Sequence, residues 1–321
     1  MGRYLGKRSL TGLLTVIVVL VLNFFLIHLA PGDPITILAG MDNPSQELID
    51  ITKAKYGLDK PIYVQLWTYI KTLLKGDLGH SIIQARPVSQ LIMERLGNTL
   101  LLTLTSAVLA LVIGTALGIA ASRKPGSALD NVLSLIAYVL YSMPGFWLGL
   151  MLILLFSSTL RLFPTSGMVD ARASYTGIAY VLDVLKHMVL PVGTLTLIGI
   201  PGYFRITKAS LAQVLKDDYN TLFLAAGMDE KKIFRKYCFR NAILPTITTF
   251  GMRLAYVIAG SATVEIVFAW PGMGRLVMSA INTRDYPLLM GVYLVTSVSV
   301  AVWMILVDIF YAIADPRIRY S

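Results

Sequence analysis

Residues 96–122, between Arg95 and Arg123, carry no charged side chain. In lipid such a run can satisfy its own backbone polar groups only by coiling into a helix, and it exceeds the roughly 20 residues that cross a bilayer core. Five more segments follow the same pattern. They lie between Arg8 and Asp33, between Asp130 and Arg161, between His187 and Arg205, over residues 242–264, and between Asp285 and Asp308. The fourth is the shortest, and the fifth contains one charge, Arg253. Only 14% of the chain is charged and 56% is hydrophobic, where a soluble domain has about a quarter charged residues. The reading is an all-α membrane protein with six transmembrane helices. The first segment opens on Arg3, Lys7 and Arg8, as a secretory signal does. Its apolar run is long for a signal core and Ala30 is followed by Pro31, so it is read as a retained anchor.

The net charge of +10 then reports sidedness. Nucleic-acid binding is the other source of such a charge, but positive-inside loops account for it more simply. The basic N-terminus, the pair Arg123 and Lys124, the loop after Arg205, and Arg317 with Arg319 all fall on one side if there are six spans. That side is expected to be cytoplasmic, with both termini on it and residues 34–94 outside. Membrane lipid is then a partner and nucleic acid is not. An error in the fourth span would break the alternation.

Few residues offer chemistry. The single cysteine, Cys238, excludes an intrachain disulfide and a cysteine metal cluster. His28, His80 and His187 are too dispersed to pair as ligands and read as packed or isolated polar groups. No metal site and no HExxH motif is found. No glycine-rich P-loop ends in Lys and Ser/Thr, so any ATP chemistry belongs to another polypeptide. Gly114 with Gly118 and Gly145 with Gly149 have the spacing that lets helices approach closely. In the outer region, Pro44-Ser45-Gln46-Glu47 looks like a helix start. Tyr63, Trp67 and Tyr69 suggest an interfacial helix, and Gly76-Asp77 with Gly79 suggests a turn.

Hydrophobic spans do not require residues 216–245, a long basic loop. Asp217 and Asp218 can cap a short helix that ends at Gly227, and Asp229 can start a second. On the second, Ile233, Phe234, Tyr237 and Cys238 form an apolar stripe, while Lys231, Lys232, Arg235 and Lys236 project elsewhere. The expectation is a helix–turn–helix. Physics alone leaves two uses open: resting on anionic lipid, or docking a protein.

The pattern Ala225, Gly227, Arg240, Asn241, Ala242, Leu244 and Pro245 resembles the coupling loop of ABC-transporter permeases. Further similarity lies in Gly57-Leu58-Asp59 with Pro61, Gly76-Asp77-Leu78-Gly79, and Pro144 with Phe146-Trp147-Leu148-Gly149. Pro191, Pro271-Gly272-Met273-Gly274-Arg275, Arg284-Asp285-Tyr286-Pro287 and Asp315-Pro316-Arg317-Ile318-Arg319 extend it over nearly the whole chain. Together these resemble the first permease subunit of dipeptide, oligopeptide and nickel importers. Thr221-Leu222-Phe223-Leu224 and Ala226 depart from the family pattern and make the first loop helix more apolar.

The resemblance implies a type I importer permease fold in a prokaryotic cell membrane. It implies an anchor and outer region over 1–97, a transmembrane core over 98–312 with a coupling loop at 205–245, and a tail over 313–321. It also implies a second permease subunit, two cytoplasmic ATPases carrying ATP and Mg²⁺, and an extracytoplasmic binding protein. The chain itself is then not an enzyme. Asp218, Tyr219, Ala225, Gly227, Arg240, Asn241, Leu244 and Pro245 become candidate ATPase contacts. Short peptides are the expected cargo, with nickel or a metal chelate as the alternative. A secondary transporter is the reading from another class; it would show inverted repeats and intramembrane carboxylates.

Two charges near the fifth span are further candidates. Arg253 lies about two turns in and either has a packing or pathway role or snorkels to the surface. Glu265, near the outer end, reads as a boundary residue bonded to the following loop. On a straight helix it lies roughly 18 Å from Arg253. Asp308 is expected to make local polar contacts.

Overall fold

The computed structural model describes residues 2–29, 59–259 and 261–314, with side chains over 10–25, 59–259 and 261–307. The expected helix start at Pro44, the Gly57-Leu58 pair, the side chain of Asp308 and the 315–321 tail lie outside these residues.

The described chain is all helix and turn, apart from one isolated β-bridge between His80 and Pro87. Among the described residues, three helices are long and apolar enough to cross a membrane: Val88–Ser122, Gly177–Val214 and Tyr286–Val307. Two bent helix pairs bring the number to five if each pair is one span. The first apolar segment lies in helix α1 (Gly2–Leu29), within which Leu10–Phe25 is the shorter apolar stretch.

The chain divides into two units. One comprises Met1–Thr99, Ile258–Ala262 and Pro271–Ser321; the other comprises Leu100–Val257 and Thr263–Trp270.

In the first unit, α1 is followed by α2 (Ile62–Leu74) and the opening turns of α3 (Val88–Ser122). Tyr63 and Trp67 of α2 are exposed, as an interfacial helix requires, while Tyr69 stacks on Phe24 at 6.2 Å. The expected turn follows, with positive φ at Gly76 and Gly79 and the Gly79 amide donating to Asp77 Oδ1 at 2.8 Å. Burial of Val88, Leu91, Ile92, Met273, Leu276 and Leu288 supplies the core. A Cβ on Gly291 would lie 2.4 Å from Val88 Cγ1, so the approach there requires glycine.

In the second unit, α3 continues and is followed by α4 (Ala128–Ser142), α5 (Gly145–Leu152) and a π-helical segment, Ile153–Thr159. The third apolar segment is therefore not one straight span. It bends by 105° at Met143–Pro144. Proline forces the preceding residue out of the helical region, and Met143 has φ −79° and ψ 131°.

The fourth segment is corrected in the other direction. It extends well beyond His187–Arg205 as the 38-residue helix α6 (Gly177–Val214), about 57 Å long. Asp183, Lys186, Arg205 and Lys208 truncated the apolar run in the sequence. The fold pairs charges at both ends of the helix. His187 is buried with its Nδ1 2.8 Å from the Asp183 carbonyl oxygen, and Lys208 bonds Asp130 and Ser134. Residues 205–214, expected in the loop, are consequently helical.

Helix α6 is the axis on which this unit packs. A Cβ on Gly114 would lie 2.8 Å from the Ile200 carbonyl oxygen, and one on Gly118 2.9 Å from that of Phe204. A Cβ on Gly145 would lie 2.9 Å from Ile198 Cδ1, and one on Gly149 3.2 Å from Phe268. Both small-residue pairs thus mark close helix approaches.

Candidate functional site

The polar segment after α6 folds as the expected hairpin, entirely within the second unit. Helix α7 (Asp218–Ala225) is its first arm. Asp217 occupies the capping position, but neither it nor Asp218 closes the helix as expected: the Asp217 side chain makes no capping hydrogen bond. Asp218 is the exposed acid of the first turn, where its charge complements the helix dipole.

The C-terminus closes on glycine. Gly227 has φ +75°, the Met228 amide donates to the Phe223 carbonyl at 3.0 Å, and the Gly227 amide donates to Leu224 at 2.9 Å. This pair of bonds is a Schellman cap, and glycine reaches its left-handed conformation without a Cβ penalty. Asp229 then caps α8 (Glu230–Ile233) by accepting from the Lys232 amide at 3.2 Å.

The second arm runs through a π-helical turn, Phe234–Cys238, into α9 (Phe239–Ala242). Its apolar stripe faces inward: Ile233 and Cys238 are buried and Phe234 and Tyr237 half-buried. Lys231, Lys232, Arg235 and Lys236 are exposed. Phe223 and Tyr237 lock the arms together with ring centroids 4.5 Å apart, and Tyr219 meets Phe223 edge-on at 5.9 Å. The Tyr219 hydroxyl is buried without a hydrogen-bond partner.

Sequence reasoning missed the latch. Buried Asn220 donates to the Val214 carbonyl at 2.6 Å and accepts from Cys238 Sγ at 3.1 Å, tying α6 to both arms. The only signal was one amide placed on the inward face of an apolar helix. The π turn left no sequence signal at all.

Ala225 and Gly227 are exposed at the tip. Arg240 and Asn241, also exposed, lie on α9 beyond the π turn. Leu244 and Pro245, exposed as well, open α10 (Leu244–Leu254), where proline suits the first turn because its missing N–H would have no helical partner. Leu222 and Leu224 are 66% and 49% exposed on α7, an apolar surface on an otherwise charged hairpin. A cavity of about 680 Å³ opens beside it. Its lining joins Arg123, at the end of α3, to Asn220, Lys231, Arg235 and Cys238 of the hairpin. Arg123 and the basic residues Lys231 and Arg235 of the hairpin therefore share one end of this unit.

Arg253 and Glu265 do not lie on one continuous helix. α10 gives way at Ala255 to a 3₁₀ turn, Val257–Ala259, and then to α11 (Ala262–Val267), so the straight-helix spacing does not apply. Arg253 packs against α6: its guanidinium lies 5.1 Å over the Tyr203 ring, with Nη2 2.7 Å from where a Gly202 Cβ would stand. Glu265 is fully buried, and its backbone carbonyl accepts from the Trp270 amide at 2.7 Å. Among the described residues no group of His, Cys, Asp or Glu could hold a metal ion.

Residues 114–320 match the family described as binding-protein-dependent transport system inner membrane component. Residues 1–103 match the N-terminal region of binding-protein-dependent transport system membrane components. The oligopeptide transport system permease protein AppB of Bacillus subtilis is 36% identical over 323 residues, covering all of both chains. The glutathione transport system permease protein GsiC of Salmonella choleraesuis is 37% identical over 321 residues, and that of Escherichia coli strain K12 is 36% identical, each with full coverage of both chains. Among solved structures, an inward-facing conformation of the MetNI methionine ABC transporter aligns with TM-score 0.54 and 18% identity, covering 71% of this chain and 97% of that one.

Proposed function

The chain belongs to the family of binding-protein-dependent transport system inner membrane components, and from that membership we propose that it forms the translocation pathway for short peptides and couples it to ATP hydrolysis on partner subunits. It is a multi-pass membrane permease component of an ABC importer. Relatives named for oligopeptide and glutathione transport support a peptide-type cargo rather than nickel. The proposed arrangement is six spans, with the hairpin and both termini in the cytoplasm. A second permease subunit, two ATPases that bind ATP and Mg²⁺, and an extracytoplasmic binding protein complete it.

The observation that carries the coupling role is the hairpin surface. Its fold is closed internally by the Gly227 cap, the aromatic lock and the Asn220 latch, yet Leu222 and Leu224 remain exposed on an arm outside the apolar spans. Two exposed leucines on opposite sides of a short helix outside the apolar spans offer apolar contact points to a partner that surrounds this arm. The atypical 221–224 segment then gives the ATPase contact an apolar rather than polar character. ATP binding shifts the permease between states only through contacts that differ between them, and a rigid lever transmits such a difference.

Lys231→Cys tests the sidedness. A membrane-impermeant maleimide is expected to label it in inside-out vesicles and not in right-side-out ones. ATPase subunits and a second permease are expected to co-purify. Labelling from outside, or uphill transport by the isolated chain, overturns the reading.

A further inference from the structure

The cavity of about 680 Å³ beside the hairpin lies wholly within the second unit, and its walls combine two chemistries. One is cationic. Arg123, Lys231 and Arg235 line it, all exposed, against a single acid, Glu230. Among the described residues none of these four side chains forms an ion pair. The other chemistry is apolar. Leu215, Leu224 and Phe234 line the same cavity, with Leu215 38% and Leu224 49% exposed.

The walls are fastened from each side. Buried Ser122, the last residue of α3, donates its hydroxyl to the Gly118 carbonyl at 2.7 Å, and the same oxygen lies 3.5 Å from the Lys208 carbonyl of α6. The end of α3 is thus fixed against α6, and Arg123 follows directly. The Asn220 latch ties α7 to the end of α6, next to Leu215, and to Cys238 on the second arm. Lys231 and Arg235 stand four positions apart on that arm, which the Phe223–Tyr237 ring contact holds against α7. Arg123 is also the first charge after the uncharged run 96–122. It therefore marks the level at which that span leaves the hydrocarbon and lipid headgroups begin.

We propose that this cavity binds the headgroup of an acidic phospholipid. The three cations pair with the phosphate oxygens, and the leucines with Phe234 cover the glycerol and the first acyl methylenes. A free phosphate ion offers the same anionic chemistry but leaves the apolar wall in water, and covering that wall is favourable. The volume falls within the roughly 300–1,000 Å³ of cavities that hold small organic groups. That the lipid belongs to the cytoplasmic leaflet, and that an ATPase docked at Leu224 would touch it, rests on the proposed function. The lipid site itself does not.

The full chain in maltoside micelles is titrated with dioleoylphosphatidylglycerol and with dioleoylphosphatidylcholine, reading retained lipid by native mass spectrometry. Phosphatidylglycerol is expected to bind at least about tenfold more tightly than phosphatidylcholine. Arg123→Gln, Lys231→Gln and Arg235→Gln are each expected to weaken phosphatidylglycerol by about fivefold and to leave phosphatidylcholine unchanged. Glu230→Gln, which removes the one acid, is expected to tighten it. Lys232→Gln and Lys236→Gln, on the same arm but outside the cavity lining, are expected to change it by less than about twofold. Unchanged helical circular dichroism checks that each variant folds, and the exposed positions 231 and 235 carry the test if Arg123→Gln does not. Equal binding of the two lipids overturns the proposal. Losses at 232 and 236 as large as those at 231 and 235 also overturn it, because they mean a diffuse basic surface. Displacement of phosphatidylglycerol by millimolar inorganic phosphate overturns it by assigning the cavity to a free anion. The assay involves neither an ATPase nor sidedness, so it succeeds or fails separately from the transport reading.

Discussion

Gly227 is the position at which the hairpin is most open to a quantitative test. Its φ of +75° is left-handed, and a Cβ built there meets nothing within 4 Å. A side chain at 227 is therefore strained by backbone conformation alone and not by crowding. For an L-residue that strain is about 1–2 kcal/mol, which shifts a local equilibrium by roughly 5- to 30-fold. Gly227→Ala is expected to lower hydrogen-exchange protection of the Gly227 and Met228 positions by that factor. Those amides close the cap onto Leu224 and Phe223. Gly227→Asn is expected to lose less, because asparagine tolerates the left-handed region, and Gly227→Val to lose more, because branching at Cβ does not. ATP-driven uptake by the reconstituted complex is expected to fall in the same order. Gly227→Asp is expected to insert normally and keep the cap about as well as asparagine does, so its expected abolition of uptake reports a negative charge placed at the exposed tip rather than backbone strain. If valine and alanine variants exchange and transport like the parent, neither the cap nor the lever is what the conformation implies. Loss of protection with full transport would leave the cap intact as chemistry and remove the lever.

Gly114→Leu would drive side-chain atoms into the Ile200 carbonyl oxygen and Tyr203 Cβ, each 2.8 Å from the built Cβ, so a loss of about 1–3 kcal/mol is expected as a lowered Tm in detergent. Asn220→Ala releases the latch on Cys238, which is 1% exposed, and maleimide labelling of that thiol in non-denaturing detergent is expected to be about tenfold faster than in the parent. Arg253→Met removes a cation–π contact worth about 0.5–2 kcal/mol with Tyr203, while Arg253→Lys keeps the charge. Uptake is expected to fall in the first and largely persist in the second; full activity of the methionine variant would mean that Arg253 merely snorkels.

Where the physics is local, the sequence was enough. The uncharged run from Leu96 to Ser122 can only be a helix in lipid, and it is one. The spacing of Gly114 and Gly118 announced a close approach, though not that Ile200 and Phe204 would be the partners. The hairpin was legible for the same reason. Gly227 at a turn, Asp229 at a helix start and an inward stripe at Ile233 and Cys238 all follow from interactions within a few residues. Span boundaries failed where distant residues intervened. The charges at 183, 186, 205 and 208 read as interruptions until Asp130 met Lys208 across 78 positions.

The sequence alone thus determined the helical class, where apolar helix lies and the turn at Gly227, but not the number or bounds of the spans, because backbone hydrogen bonding, side-chain hydrophobicity and glycine's freedom act at short range. Tertiary structure alone decided how long α6 runs, that Asn220 latches the hairpin, and that Arg123 and Arg235 line one cavity. Each of these depends on which groups meet across the fold, and no local pattern encodes that meeting.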